Sequence, residues 1–123
     1  MRVAILGASN KPERYSYKAL KRLLEHHHEV FPVHPALSEI DGIKTYPSLD
    51  LLPRPLDILT LYVGPEISSK LAEKILTLKP GRVIFNPGTE NPSLQSALAE
   101  AGIKIQEACT LVLLATHQFG NNP

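Results

Sequence analysis

The chain has 123 residues, 43% of them apolar and 20% charged, which is the composition of one ordinary globular domain with no room for a second. Thirteen Lys and Arg against twelve Asp and Glu leave a net charge of +1, which argues against broad electrostatic binding to nucleic acid, since that needs clustered Lys and Arg. The single cysteine, Cys109, excludes an internal disulfide, and the first apolar run is too short for a signal peptide or membrane span, so a cytoplasmic protein is expected.

Short apolar runs alternate with amphipathic segments along the chain. Arg2–Leu6 (RVAIL) reads as a buried strand ending at Gly7. Residues 16–28 place Ala19, Leu20, Leu23 and Leu24 at helical spacing, with Lys18, Lys21, Arg22 and Glu25 on the wet side and Ser16 as the expected N-cap. Residues 30–33 form a second strand, in which Pro32 cannot donate to a ladder, so an irregular strand or pairing on one side only is expected there. Residues 57–63 (DILTLYV) form the next strand. Gly64, Pro65 and Glu66 then open a helix that runs to about residue 78, where Lys79, Pro80 and Gly81 stop it. Arg82–Phe85 is a further strand. Asn91 and Pro92 open a helix closed by Gly102, residues 103–105 form a last strand, and residues 111–116 begin a terminal helix. The eleven prolines and seven glycines are spread along the chain, and no linker, low-complexity stretch or internal repeat interrupts the pattern.

This order predicts an α/β fold of Rossmann-like type: a doubly wound, mainly parallel five-stranded sheet with helices on both faces, spanning residues 1–123 as one domain. Ligands of such sheets sit beyond the carboxyl ends of the strands, which puts the loop of residues 7–15 (GASNKPERY) at the site. A dinucleotide loop reads GxGxxG and is followed by an acid about 20 residues later. Here only Gly7 remains, the later glycine positions fall on Ser9 and Pro12, and the second strand ends at Val33, His34 and Pro35 with no acid. Ser9, Lys11 and Arg14 ahead of a helix N-terminus instead suit a phosphate-rich anion, whose identity the loop alone leaves open.

The stretch VAILGASNKPERYSYKALKRLLEH, followed by FPVHP and GIKTYPSL, resembles the small CoA-binding proteins of bacteria. These are similar to the CoA-binding domain of the succinyl-CoA synthetase α-subunit and of NDP-forming acyl-CoA synthetases. That family carries a G-A-S-x-K-P-x-R-x-S-Y-x-V start, a P-V-N-P turn and a Y-P-S-L element. The resemblance covers nearly the whole chain and implies coenzyme A or an acyl-CoA as ligand. It implies that Gly7, Ala8 and Ser9 approach the diphosphate and that Lys11 and Arg14 meet phosphate charge. It sets Val33, His34 and Pro35 near the nucleotide end, and Tyr46, Pro47 and Ser48 in the pocket wall. His34 stands where the family has Asn. Residues 85–90 (FNPGTE) depart from the apolar run that relatives have there, and Cys109 matches a common family cysteine without its usual acidic and basic neighbours.

His26, His27 and His28 are consecutive on a helix, where successive side chains fan out by about 100°, so they cannot converge on one ion and no metal is expected. Cys109 reads as a small core residue, or alternatively as a thiol near the thiol of bound CoA. No Ser-His-acid order and no carboxylate pair forms a catalytic constellation, and the phosphohistidine domain of the related synthetases is not among these residues. The expected function is therefore CoA or acyl-CoA binding without catalysis, as a carrier, sensor or regulatory module. A small Rossmann enzyme using another nucleotide or NAD(P), and a scaffold or interaction protein with a decayed pocket, are the alternatives. No nucleic-acid or membrane partner is expected; a homodimer is, because such dimers are common.

Overall fold

A computed structural model describes residues 1–120. Strands β1 (Arg2–Leu6), β2 (Glu29–Val33), β5 (Ile58–Leu61), β6 (Arg82–Phe85) and β7 (Lys104–Glu107) form one parallel sheet in the order β2-β1-β5-β6-β7. Renumbered within the sheet this is 2-1-3-4-5, the doubly wound order whose switch point lies between the first and third strands. A two-strand hairpin, β3 (Glu39–Ile40) and β4 (Ile43–Lys44), intervenes between β2 and β5. The helices are α1 (Tyr15–Glu25), α2 (Pro65–Lys70), α3 (Ala72–Leu78), α4 (Pro92–Glu100) and α5 (Thr110–Ala115).

Alternate residues of each strand feed two separate cores, as the two-residue period of a strand dictates. Ala4, Leu6, Leu59, Leu61, Val83 and Phe85 pack with Ile75, Leu78, Leu94 and Leu98 of α3 and α4. Val3, Ile5, Ile58 and Ile84 pack with Leu20, Leu23, Leu113 and Leu114 of α1 and α5 on the opposite face. These strand residues are buried on both faces, which is why they read as continuous apolar runs rather than as alternation.

Several local expectations change. Ser16 does not cap α1: the helix begins earlier, Arg14 is its extended N-cap residue, and Ser16 is buried within the first turn. The helix also ends earlier, at Glu25, because His27 turns left-handed with φ +65°. The helix expected over residues 64–78 is broken at Leu71 (φ −101°, ψ 5°), whose side chain packs against the first core. Pro32 sits on an edge strand: its amide side is tolerated, while its carbonyl accepts from the Tyr46 amide at 2.9 Å. The Tyr46 carbonyl in turn accepts from the His34 amide at 2.9 Å, so Tyr46 covers the outer edge of β2 at residues 32–34.

Candidate functional site

Four loops leave the carboxyl ends of β1, β2, β5 and β6 and enclose a bowl of about 490 Å³. Its floor is the loop after β1. Gly7 is held there at φ +91°, a left-handed value at which a side chain is strained, and a Cβ would lie 2.8 Å from Val63 Cγ1 and 3.0 Å from the Tyr62 carbonyl. Glycine is therefore required by both conformation and space. The chain then folds back on itself: the Ala8 amide donates to the Val33 carbonyl (3.2 Å) and the Lys11 amide to Ser9 Oγ (3.0 Å).

The bowl has the electrostatics of an anion site. Helix α1 has no side-chain cap on its first turn and no acid there, so its unpaired amide groups remain available beside Tyr15 and Ser16, which line the bowl. Lys11 and Arg14 also line it, and neither side chain has an ion pair or hydrogen bond among the described residues. No lining residue is acidic. A helix N-terminus and two cations unpaired among the described residues converge on one space, which suits a diphosphate-like group.

Two apolar cavities flank the bowl and share walls with it. One, of about 290 Å³, lies on the β2 side and is lined by Val33, His34, Pro35, Pro47, Ser48, Leu49 and residues of α2 and its end. The other, of about 260 Å³, lies on the β6 side between Tyr15, Tyr62, Pro87, Cys109 and Leu111. Cys109 is thus half-buried at the mouth of α5 rather than enclosed in the core.

The floor of this second cavity is held by a buried polar network. Asn86, 2% exposed, donates from Nδ2 to Thr60 Oγ1 (2.7 Å) and to the Leu61 carbonyl (2.8 Å), and its Oδ1 accepts from the Thr110 amide (2.8 Å). The Thr60 and Thr110 hydroxyls bond each other at 2.8 Å. Asn86 therefore ties the end of β6 to β5 and to the start of α5. The Tyr62 hydroxyl is buried beside this network but makes no bond within it. Burial pushes its pKa up to about 12, an effect that the nearby Thr110 and Thr60 hydroxyls only partly offset.

Of the residues singled out from sequence, Gly7, Ala8, Ser9, Lys11, Arg14 and His34 line the bowl, and Val33, Pro35, Pro47 and Ser48 line the adjoining β2-side cavity. Tyr46 lines neither. Its ring packs on Phe31 at 6.1 Å between centroids, with Lys44 Nζ 5.0 Å from its own centroid, so it supports β2 instead of walling the pocket. Tyr62, Val63, Gly64, Pro87, Gly88 and Thr89 line the bowl without having been singled out. Their signal was positional: each follows the carboxyl end of β5 or β6, where a doubly wound sheet keeps its ligands. The three consecutive histidines diverge: His28 Nδ1 meets the N-terminal amine at 3.1 Å, while the His26 ring faces that of His117 at 6.5 Å. No group of metal-ligating side chains forms among the described residues, and no helix among them is long and apolar enough to cross a membrane.

Comparison with known proteins bears on what this bowl holds. An uncharacterized protein of Bacillus subtilis, YneT, is 29% identical over 101 residues, which make up 82% of this chain and 75% of YneT. The alpha subunit of the ADP-forming acetate–CoA ligase II of Pyrococcus furiosus is 34% identical over 62 residues, 50% of this chain but only 14% of that subunit. Among solved structures, one of an uncharacterized protein superposes with a TM-score of 0.85 at 41% identity, covering 96% of this chain and 97% of that one. Residues 1–115, which carry every wall of the bowl and of both flanking cavities, match the CoA binding domain family, and the chain belongs to that family.

Proposed function

We propose that this chain binds coenzyme A or an acyl-CoA across the carboxyl end of its sheet and acts as a carrier, sensor or regulatory module without catalysing a reaction. The observation that carries the reading is the acid-free bowl, with Lys11, Arg14 and an uncapped helix start, set between two apolar cavities. Coenzyme A has the matching order: an apolar base, a central diphosphate and a pantetheine arm ending in a thiol. In this reading the diphosphate lies over the Gly7 loop, the base enters the cavity beside Val33 and Pro47, and the arm runs past Tyr62 toward Cys109. Membership of the CoA binding domain family supports the ligand class. The non-catalytic part of the reading is supported by the engagement of two lining groups in local bonds: Ser9 Oγ accepts from a backbone amide and His34 Nδ1 is taken by its own turn.

Calorimetry and thermal melting with CoA, acetyl-CoA, NAD⁺, NADP⁺ and ATP test this directly. A ligand bound only by the folded state stabilises it by about 2.7 kcal/mol at a hundredfold excess over its Kd. Stabilisation by CoA or acetyl-CoA, with none by NAD⁺, is the expected result. A folded protein indifferent to CoA and acetyl-CoA would overturn the reading, and tighter binding of NADP⁺ would favour another nucleotide as the natural ligand.

A further inference from the structure

His34 occupies the seam between the anion bowl and the β2-side apolar cavity and lines both. The geometry points to its Nε2–H as the group that recognises a phosphate carried on the ribose of the bound nucleotide, an inference that rests on the coenzyme A reading above.

The ring's hydrogen bonds fix which nitrogen carries the proton. Nδ1 accepts from the Ala36 amide and from the Leu37 amide, both at 3.0 Å. A nitrogen that accepts two N–H bonds is unprotonated, so the neutral ring presents a donor at Nε2. Nε2 has no partner among the described residues, and it is not one of their sealed-off polar atoms, so it is open to whatever enters the seam. The nearest acid in sequence beyond Ser48 is Asp50, and its carboxylate is already engaged by the Ser48 hydroxyl (2.6 Å) and Lys74 (3.3 Å).

Position identifies the matching chemistry. At the carboxyl end of the second strand, dinucleotide-binding sheets place a carboxylate that accepts from the ribose hydroxyls. His34 stands at that place with the opposite polarity, a donor whose acceptor is already occupied. A bare ribose hydroxyl can accept from it but offers only a neutral oxygen. A phosphate monoester on the ribose offers only acceptors and is well matched, and Lys11 and Arg14 make the surrounding field positive. The two ring nitrogens thus have separate tasks, Nδ1 holding the turn of residues 34–37 and Nε2 meeting ligand.

Asn and Gln separate these tasks, since an Asn amide places an acceptor near the Nδ1 position and a Gln amide places a donor near the Nε2 position. Calorimetry with CoA and 3′-dephospho-CoA, together with thermal melting, is to be run on the wild-type chain, His34→Asn and His34→Gln. The wild type is expected to prefer CoA by about tenfold or more. His34→Asn is expected to keep the wild-type melting temperature and the wild-type affinity for 3′-dephospho-CoA, while losing the preference. His34→Gln is expected to melt lower and to retain the preference. Undiminished preference in His34→Asn, or equal binding of the two ligands by the wild type, overturns the assignment while leaving CoA binding intact. Should His34→Asn not fold, loss of preference in folded His34→Gln overturns it equally. Binding of neither ligand by the wild type removes the coenzyme A reading, and this assignment with it.

Discussion

At the amino ends of the strands, most polar groups are matched to one another, the buried Arg2 Nε excepted. Asp57 Oδ2 accepts from the Arg2 amide at 2.7 Å, and Arg82 donates to Gln106 Oε1 at 2.7 Å and to the Phe119 carbonyl at 2.6 Å. The N-terminal amine lies against His28 Nδ1. At the carboxyl ends the same kinds of group are left unmatched: Lys11 and Arg14 have no partner among the described residues, and the first turn of α1 lacks a side-chain cap. The buried Arg82 sits at the closed end and the unpaired Arg14 at the open one. Folding alone would favour pairing at both ends. The end where local pairing is withheld is the end that is built for a ligand.

The largest expected effect comes from breaking the open end at its backbone. Gly7→Val puts a β-branched side chain at φ +91° with its Cβ 2.8 Å from Val63 Cγ1. The expected loss is about 2–5 kcal/mol of folding free energy, read by urea unfolding, together with loss of CoA binding. Retained stability with retained binding would mean that the bowl tolerates a rebuilt floor.

The contrast between the two ends sharpens when each is changed separately. Arg82→Met removes donors to Gln106 and to the Phe119 carbonyl, and should lower stability by about 1–3 kcal/mol while leaving CoA affinity unchanged. Lys11→Ala and Arg14→Ala should do the reverse, weakening CoA by about 1–3 kcal/mol each while shifting stability by no more than about 0.5 kcal/mol. Paired urea unfolding and calorimetry on the three variants test this. Equal effects of all three on both readouts would erase the distinction between the ends.

The smallest effect concerns pH. Partial burial, then the neighbouring N-terminal charge and then His26 and His27, lower the His28 pKa below its usual 6.5. The unfolded chain therefore takes up the proton first as pH falls. This contribution to stability is whole above pH 6.5 and is lost on acidification from there toward the lower folded-state value. His28→Gln should flatten that part of the stability profile, measured by thermal melting between about pH 7 and pH 5.

Four strands of the sheet were legible from sequence because they are largely buried on both faces and bounded by Gly, Pro and Asn, so each appears as a short apolar run with a stop; the edge strand Lys104–Glu107 is exposed at both ends and carries no such run. The Gly7 loop was legible because a doubly wound sheet puts its ligand at a known place relative to the first strand. The hairpin of Glu39–Ile40 and Ile43–Lys44 was not, since two-residue strands carry no period. Nor was the break at Leu71, where core packing interrupts a run that local propensity would continue. Tyr46 shows why a matched motif is not yet a contact: Pro47 and Ser48 beside it reach the cavity, while its own backbone is paired to β2. The division of labour within the His34 ring could not be read at all, because it depends on which amides of its own turn reach Nδ1.

The covering of the end of β2 by Tyr46 has a consequence for self-association. An exposed edge strand is a template for pairing with the edge of another molecule. On this edge Pro32 carries no N–H, its carbonyl is taken by Tyr46, and the His34 amide is taken as well. On the opposite edge, β7 begins with Lys104 and ends with Glu107, both exposed. The β2 margin is thus closed to edge pairing at residues 32–34, and the charged, exposed ends of the short strand β7 disfavour it on the other side.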